Sequence, residues 1–249
     1  MPKSLRERAR WFRRGPVPLM LVHPDLGGTD PLPARPTLLW MHGRTAHKEL
    51  DNGRYLRLMR AGIASVAIDL PGHGERADPA MQGPERSMEV IETMLREWPH
   101  VEQAIADEPG LDASRVAVGG MSLGGMVTLA RLCRPHRFRA AWVEATSGDW
   151  SDLHAARQDP ARADRMEPAR HLDHWSPIPL LAVHAERDAW IHIAWQRRFL
   201  ERVRGVNQGM PVQLLAFART GAPHEHIGFG TMSAAAKDTG VSFLQEHLT

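Results

Sequence analysis

Short apolar runs alternate with amphipathic stretches over most of the chain. The apolar runs predict seven strands, at residues 18–23, 37–41, 64–69, 115–120, 140–144, 179–185 and 212–217. Several of these runs are almost continuously apolar, which is typical of parallel strands whose two faces are both covered by helices. The pattern therefore predicts a buried, mainly parallel sheet.

The stretches between these strands have the spacing of helices with one buried face. They predict helices at residues 49–61, 86–107, 123–134, 192–204 and 233–248. In the second of these, apolar residues recur three and four positions apart from Val90 to Ile105, and Glu108-Pro109-Gly110 then ends the helix. Alternating strands and helices predict a doubly wound α/β fold with a mainly parallel sheet of about seven or eight strands.

Residues 145–176 interrupt the alternation. This segment is polar, charged and only weakly helical. A structureless loop of that length is unusual inside a compact domain unless it has a function. We therefore expect residues 1–249 to form a single domain, with 145–176 as a small cap or lid over the C-terminal edge of the sheet.

The composition is that of an ordinary globular protein, with 43% apolar and 24% charged residues. No apolar run approaches the roughly 20 residues that cross a bilayer, and no apolar stretch follows the basic N-terminus as it would in a signal peptide. The single cysteine, Cys133, excludes an internal disulfide and fits a reducing compartment. These features predict a cytoplasmic protein without membrane insertion.

The net charge of +2 hides a strongly basic N-terminus. Within residues 1–14, a single acidic residue accompanies six basic ones, namely Lys3, Arg6, Arg8, Arg10, Arg13 and Arg14. We interpret residues 1–16 as a solvated basic lead-in, because nothing else in the sequence has the pattern of a nucleic-acid-binding surface. No nucleic-acid partner is predicted.

Residues 115–125 contain the clearest candidate for a catalytic motif. Gly120-Met121-Ser122-Leu123-Gly124 is a G-x-S-x-G pentapeptide between a predicted strand and a predicted helix. A serine on such a sharp turn has strained dihedral angles, so its neighbours two positions away need to lack a side chain. The turn holds the hydroxyl at a helix N-terminus, where backbone N–H groups favour developing negative charge. Ser122 is therefore predicted to be a nucleophile.

A serine hydroxyl needs a neighbouring base that is itself oriented by a carboxylate. Asp188 follows the sixth predicted strand, and His224 and His226 both follow the seventh. In open α/β sheets, ligands bind at these C-terminal strand ends. Glu144, at the end of the fifth predicted strand, is an alternative acid. The predicted acid is Asp188, and either histidine can supply the base.

Several further segments resemble the α/β-hydrolase superfamily, in particular small bacterial serine esterases allied to dienelactone hydrolase and to the catalytic domain of prolyl oligopeptidase. They are LLWMHG at 38–43, DLPGHGER at 69–76, Arg187-Asp188 and Gly-Ala-Pro-His at 221–224. The resemblance covers about residues 18–248. Where such esterases commonly have a Gly-x-x-Asp turn, this chain has Ala185 in place of the glycine.

The resemblance implies an α/β-hydrolase fold and a catalytic triad of Ser122, His224 and Asp188. It favours His224 over His226 because the Gly-Ala-Pro-His run matches the turn that precedes the family's catalytic histidine. Water can resolve the acyl-enzyme of such a triad with the same base, so the resemblance implies no cofactor.

The resemblance also assigns an oxyanion hole to the backbone amides of Leu123 and Arg44. Two preorganised donors that face the developing oxyanion lower the barrier substantially. His42, which lies two residues before Arg44 in the sequence, is interpreted as a structural residue that holds its loop by hydrogen bonds.

Tryptophans are concentrated around the predicted site. Trp150 and Trp175 flank the predicted cap, and Trp190 and Trp195 follow the predicted acid. Trp150, Trp175 and Trp190 are therefore candidates to line an apolar acyl or alcohol pocket. The 14 histidines include no H-E-x-x-H motif and no cluster with metal-ligand spacing, so no metal is predicted.

Together these features predict a serine esterase that cleaves small carboxylic esters through an acyl-enzyme intermediate. A peptidase or a lactone hydrolase on the same scaffold is an alternative, because fold and triad do not select the acyl group. A non-catalytic ligand-binding homologue is a further alternative, although the serine, an acid and a histidine are all present. The sequence identifies neither the substrate nor the oligomeric state.

Overall fold

The computed structural model describes residues 1–28 and 31–248, and in that part of the chain eight strands form one sheet. The strands are β1 (Ala9–Arg14), β2 (Val17–Val22), β3 (Arg35–Met41), β4 (Ala64–Ile68), β5 (Leu111–Met121), β6 (Ala140–Glu144), β7 (Leu180–Ala185) and β8 (Val212–Phe217). The helices are α1 (Lys3–Arg6), α2 (Asn52–Arg60), α3 (Ser87–Ala106), α4 (Leu123–Leu132), α5 (His154–Gln158), α6 (Pro160–Asp164), α7 (Ile193–Val206) and α8 (Ser233–Leu248).

The strand order is β1-β2-β4-β3-β5-β6-β7-β8. β2 runs antiparallel to both of its neighbours, and β3 to β8 are parallel to one another. The predicted α/β-hydrolase fold, with its mainly parallel doubly wound sheet, is therefore confirmed. All seven predicted strands are present, and β5 begins at Leu111 rather than at residue 115.

Helices cover both faces of the sheet, so the core has two main layers. The side of β3 that carries Leu39 and Met41 packs with α3, α4 and α7, whereas the side that carries Leu38 and Trp40 packs with α2 and α8. Successive residues of a strand point to opposite faces, so a strand between two helical layers needs apolar residues throughout. β3, β5 and β6 thus hold the loops at their C-terminal ends on a rigid base.

Part of the basic N-terminus pairs into the sheet, so it is more than the solvated lead-in that the sequence predicts, although most side chains of the paired strand are exposed. Ala9–Arg14 pairs antiparallel with β2 as an edge strand. Arginines of this strand form ion pairs with the region after α3, Arg10 with Glu108 and Arg14 with Asp107 at 3.1 Å. The sequence pattern missed β1 because an edge strand needs little apolar surface and tolerates charge.

Candidate active site

Ser122 lies in the tight turn between β5 and α4. Its dihedral angles are φ 52° and ψ −116°, a combination that costs a residue with a side chain about 1–3 kcal/mol. The Ser122 N–H donates to the Glu144 carbonyl at 2.8 Å, which ties the turn to β6. A methyl group at Gly120 would lie 2.4 Å from the carbonyl carbon of Gly124, and one at Gly124 would lie 2.4 Å from the Met41 oxygen. Both glycines are therefore required for this turn.

The Ser122 hydroxyl begins a continuous chain of hydrogen bonds. Its Oγ lies 2.8 Å from His226 Nε2, and His226 Nδ1 lies 2.8 Å from Asp188 Oδ2. Because a carboxylate only accepts, the Nδ1–H donates to Asp188, and Nε2 is left to accept the Ser122 proton. The other carboxylate oxygen accepts the N–H groups of Trp190 and Ile191, both at 2.9 Å. The buried Asp188 side chain is thus held in one orientation.

The prediction that His224 faces Ser122 is wrong in this structure, because His226 occupies that place. His224 is exposed, its ring stacks on Trp190 with centroids 5.0 Å apart, and its carbonyl accepts the N–H of Ala189 at 3.0 Å. It lies at the rim of the site and contributes no hydrogen bond to the serine.

The conformation of the loop explains why His226, and not His224, faces Ser122. Pro223–Glu225 forms a 3₁₀ turn in which His224 and Glu225 have φ values of 55° and 51°. The Glu225 carboxylate stabilises the turn by accepting the Thr220 N–H at 2.6 Å and the Gly221 N–H at 2.9 Å. The chain therefore coils before it reaches Ser122. The match of Gly-Ala-Pro-His to the family's turn therefore places the base two residues too early.

Glu144, the alternative acid, pairs with an arginine instead of a histidine. Its Oε2 accepts a hydrogen bond from Arg54 Nη2 at 2.8 Å, and both side chains are buried. The Arg54 guanidinium carbon lies 3.7 Å from the centroid of the Trp40 ring and 4.2 Å from that of Trp142. Burial raises the pKa of Glu144, and the charge of Arg54 partly offsets this rise. The pair supports β6 behind the serine turn.

A second buried histidine, which no motif in the sequence marks, lies beside Asp188. His184 ends the apolar run of β7, and its Nε2–H donates to the Ile191 carbonyl at 2.7 Å. The same nitrogen lies 3.5 Å from Asp188 Oδ2. Burial lowers the pKa of His184, so the neutral ring holds the loop that carries the acid.

His42 has the structural role expected of it. Its Nδ1–H donates to the Gly43 carbonyl at 2.7 Å, and its Nε2 accepts the Leu70 N–H at 3.1 Å. Burial lowers the pKa of His42 to about 4, so the neutral ring can make both bonds at physiological pH. These bonds join the loop after β3 to the loop after β4, and Gly43 approaches the Cβ of Ser122 closely.

The backbone amides of Leu123 and Arg44 belong to the two segments that adjoin Ser122, namely the start of α4 and the loop after Gly43. Within residues 1–28 and 31–248, neither amide donates to a protein acceptor. Unpaired N–H groups at a helix N-terminus and in an adjoining loop are suitable donors to an oxyanion.

Two cavities adjoin Ser122. The smaller has a volume of about 300 Å³ and lies towards α2 and α8, with Leu50, Tyr55 and Lys237 in its wall. The larger has a volume of about 500 Å³ and lies towards residues 152–155. Four residues line both cavities, namely Arg44, Ser122, Trp190 and His226. The serine therefore stands between two spaces, as cleavage of a bond with a group on each side requires.

Of the three tryptophans predicted to line the substrate pocket, Trp190 lines both cavities at Ser122, whereas Trp150 and Trp175 line neither. Trp150 and Trp175 are buried in the core at 1% and 6% exposure. The Trp150 Nε1–H donates to the Ser147 carbonyl, and the Trp175 Nε1–H donates to Asn207 Oδ1. Both rings pack residues 145–176 against the sheet, so the prediction that they line the substrate pocket is wrong. Trp195, at the start of α7, lines the larger cavity.

The predicted cap, residues 145–176, contains α5, α6 and two 3₁₀ turns. It is anchored at its start, where Thr146 Oγ1 donates to the Ser122 carbonyl at 3.0 Å. Only its part from Asp152 to Ala155 lines the larger cavity. The buried residues of the segment, among them Trp150, Met166 and Trp175, pack into the core, and a short stretch forms one wall beside the serine.

No group of three histidine, cysteine, aspartate or glutamate side chains is placed to hold a metal ion among the described residues. The hydrogen-bonded array of serine, histidine and aspartate is the chemical centre that the geometry presents. On a mainly parallel sheet, with the serine at a strand–turn–helix elbow, this arrangement defines a serine hydrolase of the α/β-hydrolase fold.

Comparison with known proteins agrees with this class. The chain belongs to the prolyl oligopeptidase family, whose sequence pattern matches residues 55–249. It is 24% identical to Esterase YjfP of Escherichia coli (strain K12) in an alignment of 249 positions that covers 93% of this chain and 96% of the esterase.

Solved structures show the same fold. A puromycin-hydrolyzing peptidase of Mycobacterium tuberculosis superposes with a TM-score of 0.76 at 20% identity, over all of this chain but only 41% of the peptidase. TT1662 of Thermus thermophilus superposes with a TM-score of 0.69 at 26% identity, over 97% of this chain and 98% of its own. This chain thus matches TT1662 along nearly its whole length and spans about two fifths of the peptidase.

Proposed function

We propose that this protein is a serine esterase that cleaves small carboxylic esters, with Ser122 as nucleophile, His226 as general base and Asp188 as the acid that orients the base. The observation that carries the proposal is the pair of 2.8 Å contacts from Ser122 Oγ to His226 and from His226 to Asp188. A nucleophile, a base within reach of its proton and a group that orients the base are the parts required for acyl transfer.

The proposed reaction follows from this geometry. His226 Nε2 takes the Ser122 proton as Oγ attacks the ester carbonyl, and the buried Asp188 stabilises the imidazolium that forms. The amides of Leu123 and Arg44 donate to the tetrahedral oxyanion. His226 then protonates the departing alcohol and afterwards activates a water molecule that hydrolyses the acyl-enzyme.

An ester is preferred to a peptide as substrate for two reasons. The relative matched over almost its full length is named an esterase, and cavities of about 300 and 500 Å³ accommodate small acyl and alcohol groups. Peptide hydrolysis is the second candidate, because the family and the puromycin-hydrolyzing neighbour point to it. Lactones remain compatible with the same machinery.

The experiment is a hydrolysis profile over p-nitrophenyl esters of increasing acyl length, run beside aminoacyl-p-nitroanilides of matched size. We expect turnover of the esters, with loss of turnover and of fluorophosphonate labelling in Ser122→Ala. Ser114→Ala, which removes an exposed serine of β5, is the matched control and should keep both. Faster cleavage of the anilides would favour the peptidase, and undiminished turnover by Ser122→Ala would refute the nucleophile.

Two further parts of the proposal come from the sequence. We propose that the enzyme is cytoplasmic and that it uses no cofactor. The described helices include none that is both long enough and apolar enough to cross a membrane.

A further inference from the structure

In the part of the chain that the structure describes, the Asp, Lys and Arg side chains that line the two cavities are paired, with one exception. In the smaller cavity, Asp51 lies 3.3 Å from Lys237 and 3.0 Å from Arg54. In the larger one, Asp152 lies 2.7 Å from Arg157 and 3.1 Å from Arg198. These groups neutralise one another and hold the cavity walls, so they leave little charge for a substrate.

Arg44 is the exception. Its guanidinium makes one hydrogen bond, in which Nη1 donates to the Gln82 carbonyl at 3.1 Å. Its Cζ lies 5.6 Å from the centroid of the Trp190 ring. Among the described residues it has no carboxylate partner. A guanidinium has five N–H donors in a planar fork that matches a carboxylate, so four remain for a ligand.

The unpaired charge of Arg44 lies in the same cavity walls as the reacting groups. Arg44 and Trp190 line both cavities together with Ser122 and His226. The Trp190 ring, over which the guanidinium lies, is itself 4.7 Å from the ring of His226. Trp190 therefore holds the guanidinium one aromatic ring away from the proposed base.

Two observations favour the smaller cavity as the place where the ligand of Arg44 binds. Apart from Arg44, the charged groups of its lining are Asp51 and the two cations that pair with it, Arg54 and Lys237, and Arg54 also pairs with the buried Glu144. The lining of the larger cavity instead contains the carboxylate of Asp152, whose partners Arg157 and Arg198 lie outside that lining. An anionic group is therefore more stable in the smaller cavity.

The rim of the smaller cavity is apolar. Leu50, Trp190 and Ile227 line it and are 61%, 40% and 52% exposed. Large exposed apolar side chains grouped at a concave site are typical of a ligand-binding surface. A ligand that matches both the unpaired Arg44 guanidinium and this apolar rim has an anionic end and an alkyl segment.

We propose that Arg44 binds a carboxylate of the substrate, so that the preferred substrate is an ester with a free carboxylate on a short alkyl segment. This inference rests on the proposed esterase function. The carboxylate would form a charge-assisted, bidentate pair with the guanidinium in the smaller cavity, while the ester carbonyl lies at Ser122.

The test compares each anionic ester with its neutral amide. For a carboxylate on the acyl side, the pair is 4-nitrophenyl hydrogen adipate and 4-nitrophenyl adipamate. For a carboxylate on the alcohol side, it is 6-butyryloxyhexanoate and its primary amide. We expect kcat/KM to favour the anionic ester by on the order of tenfold or more in one of the two pairs. A ratio near one in both pairs would overturn the proposal.

The variants assign this preference to the guanidinium. Arg44→Met should lower the ratio of kcat/KM for the anionic ester to that for the neutral one by on the order of 10- to 100-fold, and Arg44→Lys should give an intermediate ratio. Arg60→Met, which removes an exposed arginine of α2 outside both cavities, is the matched control and should keep the ratio of the native protein. An unchanged ratio in Arg44→Met would show that this residue only holds its loop.

A binding measurement separates failure of this inference from failure of the esterase proposal. Adipate and adipamide are titrated calorimetrically into the Ser122→Ala and the Ser122→Ala/Arg44→Met proteins, whose folding is checked by circular dichroism. We expect adipate to bind more tightly than adipamide, and this difference to disappear with Arg44. Equal binding of the two compounds to Ser122→Ala would refute the carboxylate site even in a protein that hydrolyses esters. Selective binding without ester turnover would instead refute the esterase proposal alone.

Discussion

Replacing His226 with alanine removes the group that lies 2.8 Å from Ser122 Oγ and 2.8 Å from Asp188 Oδ2. The serine then has no proton acceptor within reach, and water is a poor substitute. We expect kcat to fall by on the order of three or more decades, as when the serine itself is removed. The buried carboxylate of Asp188 keeps its bonds from two backbone amides, so the loss of stability is about 1–3 kcal/mol and the variant should fold.

His224→Ala is the matched control, because it changes the same residue type two positions away. The His224 ring is exposed and contacts Trp190, so its loss should reduce kcat about tenfold at most. The assay is steady-state hydrolysis of p-nitrophenyl butyrate by both purified variants, with folding checked by circular dichroism. An active His226→Ala and an inactive His224→Ala would refute the loop geometry. Two variants close to the native rate would refute the triad.

Three further predictions concern the acid, a buried histidine and the wall of the larger cavity. Asp188→Asn should lower kcat by about three to four decades because it destabilises the required tautomer and the imidazolium, whereas Glu144→Gln should stay within about tenfold, both measured with p-nitrophenyl butyrate. Burial lowers the pKa of His42 from an ordinary 6.5 to about 4. Between these two pH values the unfolded chain therefore binds a proton that the folded protein does not bind. The free energy of unfolding should therefore fall by about 2 kcal/mol as the pH is lowered from 7 to 5. In urea unfolding, the His42→Gln variant should not show this contribution to the fall. Leu153→Trp should narrow the cavity of about 500 Å³ and shift the preferred p-nitrophenyl ester to a shorter acyl chain, while fluorophosphonate labelling of Ser122 continues.

Each of these predictions has an outcome that contradicts it. A larger loss in Glu144→Gln than in Asp188→Asn would exchange the roles of the two acids. The same pH dependence of unfolding free energy in His42→Gln and in the native protein would show that burial does not control this imidazole. An unchanged chain-length profile in Leu153→Trp would place the acyl chain in the smaller cavity.

The fold and part of the site could be predicted because they depend on local sequence. An apolar run of five or six residues has to be covered on both faces, so each run predicted a strand wherever it occurred. The G-x-S-x-G turn was predictable for a similar reason, since contacts of 2.4 Å at Gly120 and Gly124 leave no room for a side chain. The position of Asp188 followed from the rule that functional loops leave the C-terminal ends of parallel strands.

Only the tertiary structure decided between His224 and His226, and between the tryptophans. Two consecutive residues with positive φ, held by Glu225, bring His226 to the serine and turn His224 outward, and no apolar pattern records such a turn. Trp150 and Trp190 both lie beside predicted functional segments, yet one fills the core and the other lines both cavities. Strand and elbow positions follow from neighbours in the sequence, whereas the direction of a loop side chain depends on contacts with residues far away along the chain.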